Sequence, residues 1–253
     1  MAFDGITIAN IAQELNQTIV GGKINKIAQP ENDELLLTIK PAKGQVRLVI
    51  SASASLPLIY LSRDNKPSPM TAPNFCMLLR KHIAQPSLER IIRFEIEHLD
   101  ELGDLCRKSL IVEIMGKHSN IIFCNEKGMI IDSIKHVSAQ MSSVREVLPG
   151  REYFIPDTMK KENPFGIPEE NFTQELLSKP MPVGKAIYNS FTGISPVVAE
   201  EICYLAGIDS SVPASEMSGD LLAHLYRQFT YFMEQVTESK FSPAIYYDGN
   251  EPK

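Results

Sequence analysis

In the stretch Ile111-Val112-Glu113-Ile114-Met115-Gly116-Lys117-His118-Ser119-Asn120-Ile121-Ile122-Phe123, two apolar, strand-like runs flank a polar turn that carries a cation, an imidazole, a hydroxyl and a carboxamide. Connections between paired strands need only turn formers such as Gly and Asn. Lys117 and His118 are surplus to that need. With Ser119 and Asn120 they make a donor-rich surface suited to an anion such as a phosphate backbone, although a solvated loop tip has the same composition. A second cationic group, Arg80-Lys81-His82, closes a helix expected over 74–83, where positive charge also complements the helix dipole. A third candidate is Phe191-Thr192-Gly193-Ile194-Ser195-Pro196, with a tight turn at Gly193, Ser195 as N-cap and Pro196 at the first helical position. This is the pattern of a helix-hairpin-helix, whose turn amides and second helix N-terminus can hold a phosphate, and equally of a plain capped two-helix turn.

Nothing comparable points to catalysis. The five histidines are dispersed, and the spacings of zinc proteases, nucleophile elbows, phosphate loops and dinucleotide fingerprints are missing. Ser51-Ala52-Ser53-Ala54-Ser55 follows a strand without the glycines that expose a nucleophile. Glu95 and Glu97 alternate onto one strand face, the pattern of an exposed edge more than of an acid/base pair. The four cysteines, Cys76, Cys106, Cys124 and Cys203, have no CxxC spacing, and three sit in apolar runs, so buried thiols are expected in place of disulfides or zinc ligands. No catalytic residue, metal or cofactor is expected.

The elements that position these residues follow from periodicity. Ile8, Ile11, Ala12, Leu15 and Ile19 mark an amphipathic helix that ends at Gly21-Gly22. Strand-like runs at 23–29, 34–40, 45–51 and 58–62, separated by Asn32-Asp33 and Lys43-Gly44 turns, predict an antiparallel meander, and further strands are expected at 90–97, 110–115, 120–124 and 129–134. Beyond residue 156 the prolines 164, 168, 180 and 182 read as a linker, after which the pattern turns helical over 183–191, 196–206 and 218–237. The fold class is therefore α+β: an antiparallel β-rich domain over 1–156, a Pro-containing linker over 157–179, a helix-hairpin-helix domain over 180–240, and an extended segment over 241–253. Within 253 residues, 43% hydrophobic and 22% charged, no apolar run reaches the roughly 20 residues a membrane helix needs, and a cytoplasmic protein is expected. The net charge of −6 argues against a nucleic-acid partner, but residues 1–150 hold 17 Lys and Arg against 16 Asp and Glu, while 151–253 hold 8 against 15. A local basic face on the first domain is thus compatible with an acidic chain.

Several ordered, ungapped motifs resemble the N-terminal part of the NFACT family: Phe3-Asp4-Gly5, Gly21-Gly22-Lys23-Ile24, Phe75-Cys76-Met77-Leu78-Leu79-Arg80-Lys81-His82, the stretch from Glu113 through Ile122, and Val147-Leu148-Pro149-Gly150. The resemblance implies a first domain akin to the N-terminal domain of MutM-type DNA glycosylases without their catalytic residues, and helix-hairpin-helix elements after it. It implies a ribosome-associated quality-control role: binding of the large (50S) ribosomal subunit and its 23S rRNA with peptidyl-tRNA still attached, and recruitment of tRNA, alanyl-tRNA in bacteria, for template-free C-terminal tailing. It places tRNA recognition on Asp4 and on Glu89 and Arg90, where Glu89 departs from the family's Asp and the segment between Ile83 and Leu88 is short. It also implies that a coiled coil and a further domain follow. The family's older label implies an alternative, a surface adhesin for fibronectin or fibrinogen, against which the sequence offers no export signal. A DNA-binding module is a third reading.

Overall fold

The computed structural model describes residues 3–42, 44–64, 66, 86–87, 91–99, 104–155, 161–244, 247–248 and 251–252. The chain forms two compact units, one through Lys160 and one from Lys161 onward.

The first unit begins with α1 (Gly5–Ile19), capped by Asp4, whose Oδ1 accepts the Thr7 N–H at 2.8 Å. Ile8, Ala12, Leu15 and Ile19 form its buried stripe. The helix must then turn back tightly onto a sheet: a Cβ on Gly22 would lie 2.8 Å from both the Ile19 carbonyl oxygen and Ile39 Cγ2, so only glycine fits. Strands β1 (Lys23–Glu31), β2 (Glu34–Lys40), β3 (Val46–Ser51) and β4 (Leu58–Ser62) follow as the expected antiparallel meander. A second antiparallel sheet holds β5 (Pro86–Ser87), β6 (Ile91–Leu99), β7 (Leu105–Glu113), β8 (Asn120–Asn125) and β9 (Ile130–Ser133) in that order. Side chains of α1 and of both sheets share one core, among them Leu15, Leu37, Leu48, Phe94, Val112 and Phe123.

The second sheet is apolar on both faces, which is why residues 110–112 and 121–124 read as continuous hydrophobic runs. On the face away from the shared core, Ile91, Ile111, Ile122, Cys124 and Ile130 pack with Val147, Val137 and Tyr153 of the segment that follows β9. Burial pushes the Cys124 thiol up to about 12 and that of Cys203 up to about 11, so both remain protonated. β7 starts five residues before the expected 110, because Leu105 to Ser109 extend the ladder with β6 as a polar ribbon. There Arg107 Nε meets Glu97 Oε1 at 3.0 Å and Ser109 Oγ donates to Glu95 Oε1 at 3.2 Å. Glu95 and Glu97 thus face Ser109 and Arg107, their cross-strand partners on β7. The helix expected over 74–83 lies outside the described residues.

The second unit corrects the expected linker over 157–179. Residues from Lys161 onward belong to the helical unit: Lys161 Nζ donates to the Tyr188 carbonyl at 2.6 Å, Glu162 N to the Ser190 carbonyl at 2.7 Å, and Thr192 N to the Glu162 carbonyl at 3.0 Å. Residues 169–177 form α2 (Glu169–Leu177), with Pro168 at its N-cap and two glutamates in its first turn. The prolines bound this helix and do not mark a spacer. α3 (Val183–Ser190), α4 (Pro196–Leu205) and α5 (Gly219–Thr237) follow as expected. Their core is aromatic: Phe172 of α2 stacks on Phe191 with centroids 5.5 Å apart, and Phe229 of α5 stands 4.9 Å from Phe172 and 4.8 Å from Phe191. Within the expected extended segment, β10 (Tyr247–Asp248) and β11 (Glu251–Pro252) pair antiparallel.

Phe172 lies at the centre of this aromatic group, so truncation should open a cavity. Phe172→Ala is expected to cost the helical unit about 3–5 kcal/mol. In scanning calorimetry the transition of that unit should fall while that of the sheet unit stays in place.

Candidate nucleic-acid interface

The β7–β8 connection is short and internally satisfied. Gly116 to His118 form a single 3₁₀ turn entered at positive φ (Gly116, +60°), with the His118 N–H donating to the Met115 carbonyl and the Ser119 N–H to that of Gly116. Lys117 and His118 are exposed at the tip, as an anion contact requires. Ser119 and Asn120 are not surface groups: they are 1% and 3% exposed. Ser119 Oγ accepts the Met115 N–H at 2.8 Å. Asn120 Oδ1 accepts the N–H groups of Ile121 at 2.9 Å and Lys135 at 3.1 Å, while its Nδ2 donates to the Lys135 carbonyl at 2.9 Å. Two of the expected contact residues are therefore the turn's internal fastening, because buried polar groups must be spent on protein partners. The clamped Lys135 in turn sends its Nζ to the Ser119 carbonyl at 3.1 Å and to the carbonyl of Ala52, just beyond β3. That one side chain ties the tip to the end of the first sheet.

A buried ion group stands beside this turn. Glu113, the last residue of β7, has no side-chain exposure; its Oε2 lies 2.5 Å from Arg145 Nη2 and its Oε1 accepts the Tyr153 hydroxyl at 2.9 Å. Arg145 also donates to the Phe154 carbonyl at 2.9 Å and lies 5.6 Å from the centre of the Tyr153 ring. Burial works against the Arg145 charge, but the hydrogen bond and charge of Glu113 outweigh it and hold the guanidinium protonated. Burial, reinforced by the Glu113 carboxylate, pushes the Tyr153 hydroxyl far above its ordinary range, so it stays a donor. Sequence reading missed Arg145, Tyr153 and Lys135. The available signal was Glu113 itself, a carboxylate inside an apolar strand.

A further basic group comes from strand register. Lys23 of β1 lies directly opposite Lys40 of β2, and an irregularity between Ile24 and Lys26 brings Lys26 opposite Thr38. Ile24, Ile27 and Ile39 are buried in the core, whereas Lys23, Lys26 and Lys40 are exposed. Among the described residues none of the three lysines has an ion-pair partner. Like charges directly opposite in an antiparallel pair are destabilising, and an external anion relieves them.

The other expected site residues divide as follows. Asp4 caps α1, with its side chain engaged by Thr7 N. Gly193 (φ +79°) makes the turn between α3 and α4, and Ser195 caps α4 by accepting the Val198 N–H at 3.2 Å. Arg80, Lys81, His82, Glu89 and Arg90 lie outside the described residues, the last two immediately before β6.

A unit of two antiparallel sheets joined to a helical unit, with its sequence motifs at the α1–β1 turn and the β7–β8 tip, defines the class. The sequence profile of the NFACT N-terminal and middle domains matches residues 4–253, and the chain belongs to that family. The Bacillus subtilis (strain 168) protein named Rqc2 homolog RqcH is 37% identical over 254 residues, covering 97% of this chain and 43% of that protein. The Streptococcus suis (strain 05ZYH33) protein of the same name is 32% identical over 97% of this chain and 43% of its own length. This chain thus spans less than half of the curated relatives it matches. Among solved structures, the N-terminal part of the fibronectin/fibrinogen-binding protein from Streptococcus suis superposes with TM-score 0.72 at 32% identity, over 90% of this chain and 84% of that one. The fibrinogen binding protein from Staphylococcus aureus superposes with TM-score 0.73 at 26% identity, over 100% and 89%. Likeness to the Thermus thermophilus MutM protein stops at TM-score 0.39 and 11% identity.

Removing one partner of the buried ion group leaves the other uncompensated. Arg145→Ala should destabilise the sheet unit by about 3–5 kcal/mol, and Tyr153→Phe by about 1–3 kcal/mol. Lys117→Ala and His118→Ala, at the exposed tip, should stay within about 0.5 kcal/mol of the parent in urea denaturation.

Proposed function

We propose that this chain is the N-terminal, RNA-facing part of a ribosome-associated quality-control factor. It binds the large (50S) subunit that carries peptidyl-tRNA after a stalled ribosome splits, meets 23S rRNA and tRNA, and recruits alanyl-tRNA for template-free C-terminal tailing. The observation that carries this reading is the 37% identity, over 97% of the chain, to a relative named Rqc2 homolog RqcH. The exposed Lys23, Lys26 and Lys40, which have no ion-pair partner among the described residues, and Lys117 and His118 at the tip, support it as places where phosphates dock. The protein acts by positioning RNA and not by bond chemistry: the ribosome supplies peptidyl transfer, so the chain has no catalytic residue and no cofactor, and works in the cytoplasm. No helix among the described residues is long and apolar enough to cross a membrane, and no cluster of three metal-ligating side chains occurs among them.

A second reading, a surface protein that binds fibronectin or fibrinogen, is favoured by the names of the solved relatives. Cell fractionation separates the two: co-sedimentation with large subunits supports the first, and recovery at the cell surface the second.

By the family resemblance, Glu89 and Arg90 contact tRNA together with Asp4. An Arg contact to phosphate or base is worth roughly 1–3 kcal/mol, so Glu89→Ala/Arg90→Ala in the full-length protein should lower tRNA association by about tenfold or more while large-subunit sedimentation persists. Normal tRNA content and alanine tailing in that variant would remove these residues from the interface. For Asp4, Asn preserves the helix cap and Ala does not; a loss of tRNA with Asp4→Asn at unchanged stability separates RNA contact from capping.

The three lysines make a distinct prediction. If each neutralises a phosphate, Lys23→Gln/Lys26→Gln/Lys40→Gln should reduce the slope of log affinity against log salt by about 2. An unchanged slope with intact RNA binding would take this end of the first sheet out of the contact.

A further inference from the structure

The outward face of α4 does not suit the phosphate that its capped N-terminus invites. Ala199, Ile202 and Cys203 turn inward, where α4 packs between α3 and α5. Seven residues apart, and so two turns apart on one face, Val197 and Tyr204 are 74% and 77% exposed, with half-exposed Leu205 beside them. Glu200 and Glu201, both exposed, lie between Val197 and Tyr204 and flank the apolar line on its two sides. Exposed Asp209 follows just past the helix end, and Ser211 holds its carboxyl below the usual carboxylate range, so it stays charged. Across residues 161–253 there are 13 Asp and Glu against six Lys and Arg.

We propose that this face is a docking site for a protein segment rich in Lys and Arg that carries an apolar or aromatic anchor. The anchor lies along Val197 and Tyr204, and flanking cations pair with Glu200 and Glu201, the division of a recognition surface into apolar centre and charged rim. Charge decides among occupants. A nucleic-acid backbone would meet two carboxylates in the second turn of the helix. A second copy of this chain, packed face to face, would set Glu200 and Glu201 against their equivalents. Only a basic polypeptide satisfies the apolar line and its acidic borders together. The surface is independent of the lysines on the sheet unit and extends the RNA-binding role to a protein partner.

The test uses the full-length protein and a fluorescent synthetic peptide of Lys and Arg interspersed with Leu and Phe, followed by anisotropy. Controls are the same peptide with Ser in place of Leu and Phe, a single-stranded RNA oligonucleotide, and sedimentation equilibrium of the protein alone. The apolar basic peptide is expected to bind at least tenfold more tightly than its Ser counterpart. Val197→Ser/Tyr204→Ser should remove about tenfold of that affinity, and Glu200→Gln/Glu201→Gln should both weaken binding and flatten its salt dependence. All four side chains are exposed, so circular dichroism of both variants should match the parent. Equal affinity for the two peptides, or parental affinity in both variants, overturns the proposal. So does a loss in the variants of RNA binding or of self-association in place of peptide binding. A parent protein that binds the peptide but does not associate with ribosomes would count against the quality-control reading and leave this one standing.

Discussion

A carboxylate without solvent at the end of β7 constrains the whole sheet unit. Glu113 has two strong acceptor oxygens and no water, so both need charged or hydroxyl donors. They come from Arg145 and Tyr153, 32 and 40 residues further along the chain. Once those donors are in place, the segment that bears them lies across the second sheet, and Val137, Val147 and Tyr153 close over Ile91, Ile111 and Ile122. The sheet's two apolar faces are then both covered, one by the shared core with α1 and the first sheet, the other by this segment.

The same economy explains the tip next to Glu113. Its polar residues split into those that build it and those it displays. Ser119 and Asn120 are consumed by the backbone of Met115, Ile121 and Lys135. Lys135 then fastens the turn to Ala52 at the end of the first sheet. Lys117 and His118 are left on a tip whose backbone is fastened by these bonds, which lowers the entropy cost of the anion contact proposed for them. The tip thus displays an ammonium and an imidazole on an otherwise structural motif.

The helical unit works on different physics. Phe172, Phe191 and Phe229 provide large apolar area from three separate segments, and edge and stacked ring contacts fix their geometry. Its sequence is acidic where that of the sheet unit is balanced, and the sheet unit displays lysines without an ion-pair partner among the described residues. The binding roles proposed for the two units differ accordingly.

Periodicity alone located α1, the four-strand meander, both strands around the tip, and α3 to α5, since each depends on a local alternation of apolar residues over many positions. It failed at α2, where a nine-residue helix has only Phe172 and Leu176 as buried anchors and sits among prolines that elsewhere signal a linker. It also misread Ser119 and Asn120. Whether a polar side chain faces water or the interior depends on what stands opposite, and here that is Lys135, which lies near in sequence only at the far end of a β-hairpin. The partnership of Glu113 with Arg145 and Tyr153, and the meeting of Lys23 with Lys40, likewise exist only after the chain has folded back on itself. What the sequence by itself determined was element type, the family motifs, and the presence of cations and caps. Tertiary structure decided which of those polar groups are spent on the fold and which remain for a partner, because burial and long-range pairing are properties of the assembled core and not of local pattern.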